Sequence, residues 1–160
     1  MNIRKGTMAD LDQVTAVEAA CFPKAEAATR ESFEKRLAVY PDHFLLLFDG
    51  KMLVGFIDGM VTEEADLADA MYDDPSFHSK RGAWQMIFGL NTIPERRRQG
   101  LAARLVRAFI EEAEKEHRRG VVLTCKEKLI HYYEKFGFID EGISDSVHGH
   151  VVWHQMRLTF

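Results

Sequence analysis

The sequence lacks the cysteine pattern of a disulfide-bonded or zinc-stabilised protein. Its 160 residues include only 2 cysteines, Cys21 and Cys125, and neither stands in a CxxC or CxxH spacing. This scarcity argues against a disulfide framework and against a structural zinc site, so we expect no metal. It also favours a reducing compartment, and we predict a cytoplasmic protein.

Long apolar runs and an excess of positive charge are also missing. No segment approaches the ~18 consecutive apolar residues of a membrane span, and the opening MNIRKGTMAD has no apolar core of a signal peptide. We therefore expect no membrane partner. The formal net charge of −4 argues against a nucleic-acid partner, although basic residues cluster at one point of the chain.

What is present is apolar content sufficient for a core. With 46% hydrophobic residues over residues 1–160, the chain is predicted to form one domain. Thr7 and Asp10 have the spacing of a capping box, and Asp49-Gly50 between two apolar runs is typical of a hairpin turn. The predicted helices are 8–20, 29–39, 102–115 and 129–136, and the predicted strands are 2–4, 43–48, 52–61, 84–92, 121–125, 138–143 and 151–158.

The order of these elements predicts a mixed α/β fold. We expect three layers, with a central, mostly antiparallel twisted sheet and helices on both faces. Residues 62–82 are acidic and irregular, which indicates a surface insertion that could cover a site.

An arginine-rich turn follows the predicted strand 84–92 and leads directly into an amphipathic helix. The turn is Pro94-Glu-Arg-Arg-Arg-Gln-Gly100, and it places unpaired backbone N–H groups at the positive end of a helix dipole. Gly100 lets the backbone approach a ligand closely. The turn is predicted to bind an anion such as a pyrophosphate, but it lacks the spacings of a P-loop and of a dinucleotide fingerprint.

A second motif lies downstream, in Leu129-Ile-His-Tyr-Tyr-Glu-Lys-Phe-Gly-Phe138. Together, the segment RxxGxA at 97–102 and YxxxGF at 133–138 resemble the GCN5-related N-acetyltransferase (GNAT) superfamily. Within it, the chain is most similar to the arylalkylamine (serotonin) N-acetyltransferase branch. The resemblance implies the GNAT fold, acetyl-coenzyme A as cosubstrate, and direct acetyl transfer to an amine in a ternary complex.

The resemblance also implies which residues contact the cosubstrate. Leu90 and Thr92 are expected to contact the pantetheine arm, which could pair with a strand edge opened by a bulge. The pyrophosphate is expected on Arg98, Gln99, Gly100, Leu101, Ala102 and Ala103. Arg97 is expected to contact either the pyrophosphate or the 3′-phosphate of the nucleotide. Arg104 could add a phosphate contact, whereas Arg96 is predicted to face solvent.

For the chemistry, the resemblance makes Tyr133 the acid that protonates the departing thiolate. A phenol with a reference pKa of ~10 can donate a proton to a thiolate whose conjugate thiol has a pKa of about 8.5. The neighbouring Tyr132 is predicted to pack in the core, and Cys125 to be buried and inert. The branch places two histidines on the strand before the turn, but Met86 and Phe88 occupy those positions here. The base is therefore left open, with His148 and His150 as the nearest candidates.

The acceptor pocket is inferred from the same branch. It is expected to be lined by Phe22, Thr124, His148, Val151 and Trp153, and acidic residues such as Glu26, Glu63 and Glu64 could attract a cationic amine. The predicted partner is a small-molecule amine, and monomer and homodimer stay open. Two alternatives also stay open: acetylation of a protein or peptide, and a non-catalytic coenzyme A sensor.

Overall fold

The computed structural model describes residues 1–160 and contains four α-helices and nine β-strands. The helices are α1 (Leu11–Cys21), α2 (Arg30–Val39), α3 (Leu101–Lys115) and α4 (Ile130–Glu134). The strands are β1 (Asn2–Lys5), β2 (Phe44–Asp49), β3 (Met52–Asp58), β4 (Val61–Thr62), β5 (Trp84–Ile87), β6 (Gly89–Thr92), β7 (Gly120–Cys125), β8 (Ile139–Ile143) and β9 (His154–Thr159). None of the helices has the length and apolar character that crossing a bilayer requires.

The strands form two sheets. One has the order β1-β2-β3-β6 and the other has the order β4-β5-β7-β9-β8. Every strand pair is antiparallel except β5–β7, which is parallel. The predicted mixed, mostly antiparallel α/β architecture is therefore confirmed, with the strands divided between two sheets.

Alternating residues of β2 contribute to two separate cores, because successive side chains of a strand point to opposite faces. Leu46 packs in a core of 17 buried residues with Val14 of α1 and Phe33 of α2. Leu47 packs in a second core of 16 buried residues with Leu105 of α3. Helices therefore cover both faces of the strands, as the sequence predicts.

The local signals of the sequence behave as predicted. The Thr7 backbone N–H donates to the Asp10 carboxylate at 2.8 Å, which completes the capping box before α1. Gly50 has φ +61° in the turn between β2 and β3, and Gly137 has φ +98° after α4. Both glycines have left-handed backbone conformations, which are unfavourable for residues with a Cβ.

Several elements differ from the prediction. The predicted strand 52–61 is divided into β3, which ends at Asp58, and β4, Val61–Thr62, which belongs to the other sheet. The predicted strand 84–92 is interrupted at Phe88, where β5 ends and β6 begins in the other sheet. The last strand begins at His154 rather than at Val151, because residues 148–150 form a turn with Gly149 at φ +64°. The acidic segment 62–82 contains two single-turn 3₁₀ helices, Asp69–Tyr72 and Pro75–Phe77.

Candidate functional site

The separation of the two sheets at Phe88 opens a gap between β6 and β7. β5 pairs in parallel with β7 as far as Ile87 and Leu123, whereas β6 pairs only with β3, starting at Gly89 opposite Asp58. The Phe88 N–H donates to the Asp58 carbonyl at 2.7 Å, which draws the chain toward β3 and away from β7. Backbone groups of β6 and of the end of β7 therefore face each other across a space that a pairing ligand could enter.

The arginine turn lies at the end of β6 and has the geometry of an anion site. Arg98 has φ +64° and Gly100 has φ +77°, and α3 begins at Leu101. The N–H groups of Arg98, Gln99 and Gly100 donate to no backbone or side-chain acceptor. Those of Leu101, Ala102 and Ala103 belong to the first helical turn, which has no intrahelical acceptors. Six N–H groups thus surround one helix N-terminus, a suitable arrangement for a phosphate.

The four arginines of this region have different surroundings. Arg96 forms an ion pair with Asp49 at 2.5 Å, so its predicted exposure to solvent is wrong; the hairpin turn supplies its carboxylate. The Arg97 side chain donates to the Thr92 carbonyl at 3.2 Å, and Arg104 donates to the Met1 carbonyl at 3.4 Å. Arg97 and Arg98 are exposed beside the anion site and can reach a bound phosphate.

A cavity of about 450 Å³ opens beside the gap. It collects most of the predicted site residues that lie outside the turn, namely Leu90, Tyr133, Phe22, Thr124, His148 and Trp153. Thr92 and Val151 do not line it. Thr92 lies farther along β6, and Val151 precedes β9 in the segment that the sequence assigned to a strand. Glu26 lines the cavity, whereas Glu63, Glu64 and His150 are exposed outside it.

Tyr133 lies in α4 with its side chain 7% exposed at the cavity wall. Burial is the main cause that raises the pKa of its phenol, so the hydroxyl stays protonated at neutral pH. The same surroundings act on thiols, since burial raises the pKa of Cys125 to about 11. Tyr132 packs edge-on against Phe136 at 5.3 Å, as predicted.

Aromatic side chains form one side of the cavity. Tyr72 lies 5.0 Å from Phe88 and 5.1 Å from His148, measured between ring centroids. His148 in turn lies 6.1 Å from Trp153. The sequence did not single out Tyr72, which belongs to the irregular segment 62–82, where no periodic pattern indicates which residues turn inward.

Three loops meet around this aromatic side. His148, between β8 and β9, has its Nε2 2.8 Å from the carbonyl of Glu26, between α1 and α2. Asp69 of the acidic segment accepts hydrogen bonds from the Ser146 hydroxyl at 2.5 Å and the Val147 N–H at 2.9 Å. The loops therefore close this side of the cavity.

The two positions where the arylalkylamine branch has histidines are not equivalent here. Met86 is fully buried in the core behind β5, whereas Phe88 lines the cavity. Neither side chain can accept a proton. One of the carboxylates that line the cavity is Glu18 of α1, which is 6% exposed.

Glu18 accepts a hydrogen bond from the Ala28 N–H at 2.9 Å through Oε2, while its Oε1 has no partner. Burial, partly offset by the Ala28 N–H, raises the pKa of the carboxyl to about 7. The sequence contains a signal for it: Glu18 follows Leu11, Val14 and Val17 on the buried face of α1, where a carboxylate is out of place. No group of three or more His, Cys, Asp or Glu side chains is arranged to hold a metal ion.

The profile of the Acetyltransferase (GNAT) family matches residues 11–138. No curated protein sequence matches the chain. Among solved structures, it is similar to the loading GNATL domain of CurA from Lyngbya majuscula, with a TM-score of 0.85, 16% identity, and coverage of 99% of this chain and 96% of that one. It is also similar to the GphF GNAT-like decarboxylase in complex with isobutyryl-CoA, with a TM-score of 0.84, 18% identity, and coverage of 99% of each chain. For the ribosomal-protein-S18-alanine N-acetyltransferase from Escherichia coli, the TM-score is 0.73, the identity is 17%, and the match covers 99% of this chain and 92% of that one. At these identities the structural likeness establishes the fold.

Proposed function

The chain belongs to the Acetyltransferase (GNAT) family, and from that premise we propose that it transfers the acetyl group of acetyl-coenzyme A to a small aromatic primary amine. The acceptor gives one proton to solvent to become the neutral amine, which attacks the thioester directly in a ternary complex and releases a second proton to solvent as the amide forms. Coenzyme A leaves as the thiolate, and Tyr133 protonates the sulfur. We also propose a cytoplasmic location, which the two free cysteines support.

The donor side of this proposal is supported by the continuity of two features. The anion site at Gly100 and the gap between β6 and β7 lie at the end and along the edge of the same strand, β6. A pyrophosphate bound to the first turn of α3 would direct an attached pantetheine arm along Leu90 toward Tyr133. The thioester would then reach the cavity that both residues line.

The observation that carries the acceptor side is the charge of the cavity wall. Four carboxylates line it, Glu18, Glu26, Glu31 and Asp73, against two cations, Lys35 and Arg36. Lys35 is paired with Glu31 at 3.8 Å, Arg36 with Asp58 at 2.9 Å and Glu26 with Lys126 at 2.9 Å, so Glu18 and Asp73 are the lining carboxylates without a cationic partner. A wall with excess negative charge favours a cationic acceptor. The aromatic rings of Phe22, Tyr72, Phe88 and Trp153 suit a flat apolar body.

The size of the acceptor is argued from the closed side of the cavity. An extended peptide needs a continuous groove, whereas the 2.8 Å contact between His148 Nε2 and the Glu26 carbonyl joins two of the loops around the cavity. Gly149 packs so closely on the same residue that a Cβ there would lie 2.8 Å from Cγ of Glu26. These contacts favour a compact amine over a protein N-terminus.

The experiment is acetyl-coenzyme A turnover, followed by thiol release, against four acceptor classes: arylalkylamines, polyamines, aminoglycosides and short peptides. We expect the highest kcat/KM with an arylalkylamine. Highest turnover of a peptide would overturn the acceptor assignment and leave the acetyltransferase. Tight binding of acetyl-coenzyme A without turnover of any amine would indicate a coenzyme A sensor.

A further inference from the structure

The ammonium group of Lys126 lies between a carboxylate and an aromatic ring at the edge of the cavity. Its Nζ is 2.9 Å from Oε1 and 3.1 Å from Oε2 of Glu26. The same atom is 5.9 Å from the centroid of the Trp153 ring, within the range of a cation–π interaction. Carboxylates and aromatic faces both attract alkylammonium ions, so the lysine of the protein itself shows which chemical group this position accepts.

The two groups that surround the ammonium also belong to the cavity wall. Glu26 and Trp153 line the cavity, whereas Lys126 does not. Lys126 directly follows Cys125, the last residue of β7, and its side chain is 30% exposed. The Glu26 side chain is only 8% exposed, so the carboxylate is largely withdrawn from bulk water. An amine that enters the cavity therefore meets a carboxylate and a ring that already hold an ammonium group.

His148 fixes both the carboxylate residue and the ring. The Trp153 Nε1–H donates to the His148 carbonyl at 2.7 Å, and His148 Nε2 lies 2.8 Å from the Glu26 carbonyl. Neither contact involves Lys126. Glu26 and Trp153 are thus held by contacts that persist when the lysine side chain moves away, as a binding subsite requires.

We propose that Glu26 and Trp153 form the subsite that first binds the acceptor as an ammonium ion, and that Lys126 is an internal competitor which the acceptor displaces. This role rests on the proposed acetyl transfer and adds the binding step that precedes it. A primary alkylamine with a pKa near that of lysine, ~10.4, is almost entirely the ammonium ion at neutral pH. The acceptor therefore reaches the subsite with its charge and loses its first proton to solvent before it attacks the thioester.

Internal competition would select aromatic acceptors. One ammonium replaces another at Glu26, so the charge of the subsite is conserved, and the displaced Lys126 returns to water on its flexible stem. An aliphatic amine offers the subsite nothing that the lysine lacks. An aromatic amine adds contacts with the rings of the cavity, which the lysine stem does not make. The apparent affinity of any acceptor is lowered by the fraction of molecules in which Lys126 occupies the subsite.

The test is calorimetric titration of the full chain with 2-phenylethylamine at neutral pH, in the absence of acetyl-coenzyme A. Lys126→Met keeps an apolar side chain of similar length but removes the competing charge. We expect its dissociation constant for the amine to be about fivefold lower or more than that of the wild type. The dissociation constant of 2-phenylethanol, which has the same shape without the charge, should be the same for both proteins.

A matched control and a second variant separate competition from other effects. Lys128→Met makes the same change of net charge at an exposed lysine two residues away, and it should bind the amine like the wild type. Glu26→Gln, introduced into Lys126→Met, should weaken amine binding about fivefold or more, because it removes the carboxylate from the free subsite. If the ion pair only held the loops in place, Lys126→Met and Glu26→Gln would each weaken amine binding. The proposed competition requires opposite effects.

A crystal structure of the wild type with bound 2-phenylethylamine tests the subsite without any substitution. We expect the ligand nitrogen within hydrogen-bond distance of the Glu26 carboxylate, and the Lys126 Nζ moved away from it. A ligand nitrogen elsewhere in the cavity, with the Glu26–Lys126 pair intact, would overturn the subsite.

The outcomes distinguish this proposal from the proposed function. Unchanged or weaker amine binding by Lys126→Met would overturn the competition, even if the wild type acetylates amines. Tighter amine binding by Lys126→Met, in a protein that acetylates no amine, would refute the proposed function and leave the ammonium subsite.

Discussion

The Arg36 guanidinium and the Asp58 carboxylate form a 2.9 Å ion pair beneath the cavity, with side-chain exposures of only 4% and 1%. Arg36 also donates to the Tyr72 carbonyl at 3.1 Å and lies over the Phe88 ring at 5.1 Å. One side chain thus joins α2, β3, the acidic segment and the point where the sheets separate. Burial raises the pKa of Asp58, and the guanidinium opposes that rise.

Breaking this pair should be costly, because removal of Arg36 leaves a buried carboxylate without a counter-charge. We expect Arg36→Met to lower the free energy of unfolding by about 3–5 kcal/mol, measured by urea denaturation. The double variant Arg36→Met/Asp58→Leu should recover most of that loss. Arg30→Met, at an exposed ion pair, should change stability by about 0.5 kcal/mol or less. A double variant less stable than the single one would contradict the explanation.

Tyr133→Phe should lower kcat about 100-fold without changing the dissociation constant of acetyl-coenzyme A, since it removes only the proton donor. The measurement is thiol release at saturating substrates from pH 6 to pH 10. Tyr132→Phe is the matched control, because its neighbouring phenol packs against Phe136, and it should retain kcat within about twofold. Unchanged turnover of Tyr133→Phe across this range would remove the residue from the mechanism.

Gly100→Val should weaken acetyl-coenzyme A binding about tenfold or more, equivalent to about 1.4 kcal/mol. The substitution places a branched side chain at φ +77°, where the N–H groups of the turn converge. Calorimetric titration gives the affinity. Gly142→Val imposes similar backbone strain at φ +93° on the edge strand β8, so it should lose comparable stability but bind normally. Equal loss of binding in both variants would refute the anion site.

His148→Ala should open the closed side of the cavity, because it removes the 2.8 Å contact to the Glu26 carbonyl and the ring packed on Tyr72. We expect KM for a small aromatic amine to rise about tenfold, with a smaller change in kcat. Turnover of short peptides should increase relative to the wild type. His150→Ala, two residues away and exposed, should change neither value. If both variants had the same preference for small amines over peptides, His148 would not close this side of the cavity.

The stability of the fold should decline on mild acidification. Burial, with a smaller effect of His43, lowers the pKa of His78 from its ordinary 6.5 to about 4. The unfolded chain therefore binds this proton more readily than the folded chain between those values. The contribution of neutral His78 to the free energy of unfolding is fully present above pH 6.5 and falls as the pH drops toward 4.

Replacing His78 tests that dependence. His78→Phe preserves stacking on Tyr40 but removes the acceptor for the Val61 N–H, so it should be less stable at pH 7. Its melting temperature should nevertheless change less between pH 6.5 and pH 4. His131→Gln, whose side chain is 97% exposed, should follow the wild-type curve. A wild-type melting temperature that is constant over this interval would contradict the assignment.

Much of the fold follows from local patterns. The turn at Gly50, the capping box at Asp10 and the apolar stripe of α3 each depend on residues close in sequence, so their spacing predicts them. The separation at Phe88 does not follow in this way. It is fixed by the hydrogen bond from Phe88 to Asp58, a contact between distant strands.

The candidate site also has one part that depends on local sequence and one part that depends on tertiary packing. The anion site is one continuous segment ending at Ala103, and its description from sequence needed only a turn and a helix start. The cavity instead combines α1, the acidic segment and the β8–β9 loop, whose proximity depends on tertiary packing. Tyr72 and Glu18 were therefore missed, although a carboxylate on the apolar face of α1 was a visible anomaly.

The gap between β6 and β7 has a consequence for the lifetime of the protein. The edge of β6 opposite β3 and the end of β7 beyond Leu123 have no strand partner there. A ligand that binds only the folded chain stabilises it by about 1.4 kcal/mol for each tenfold excess over its dissociation constant. If the pantetheine arm lies between these edges, cellular acetyl-coenzyme A acts as a removable strand. A fall in cellular acetyl-coenzyme A would then shorten the half-life of the enzyme and also lower its rate of catalysis.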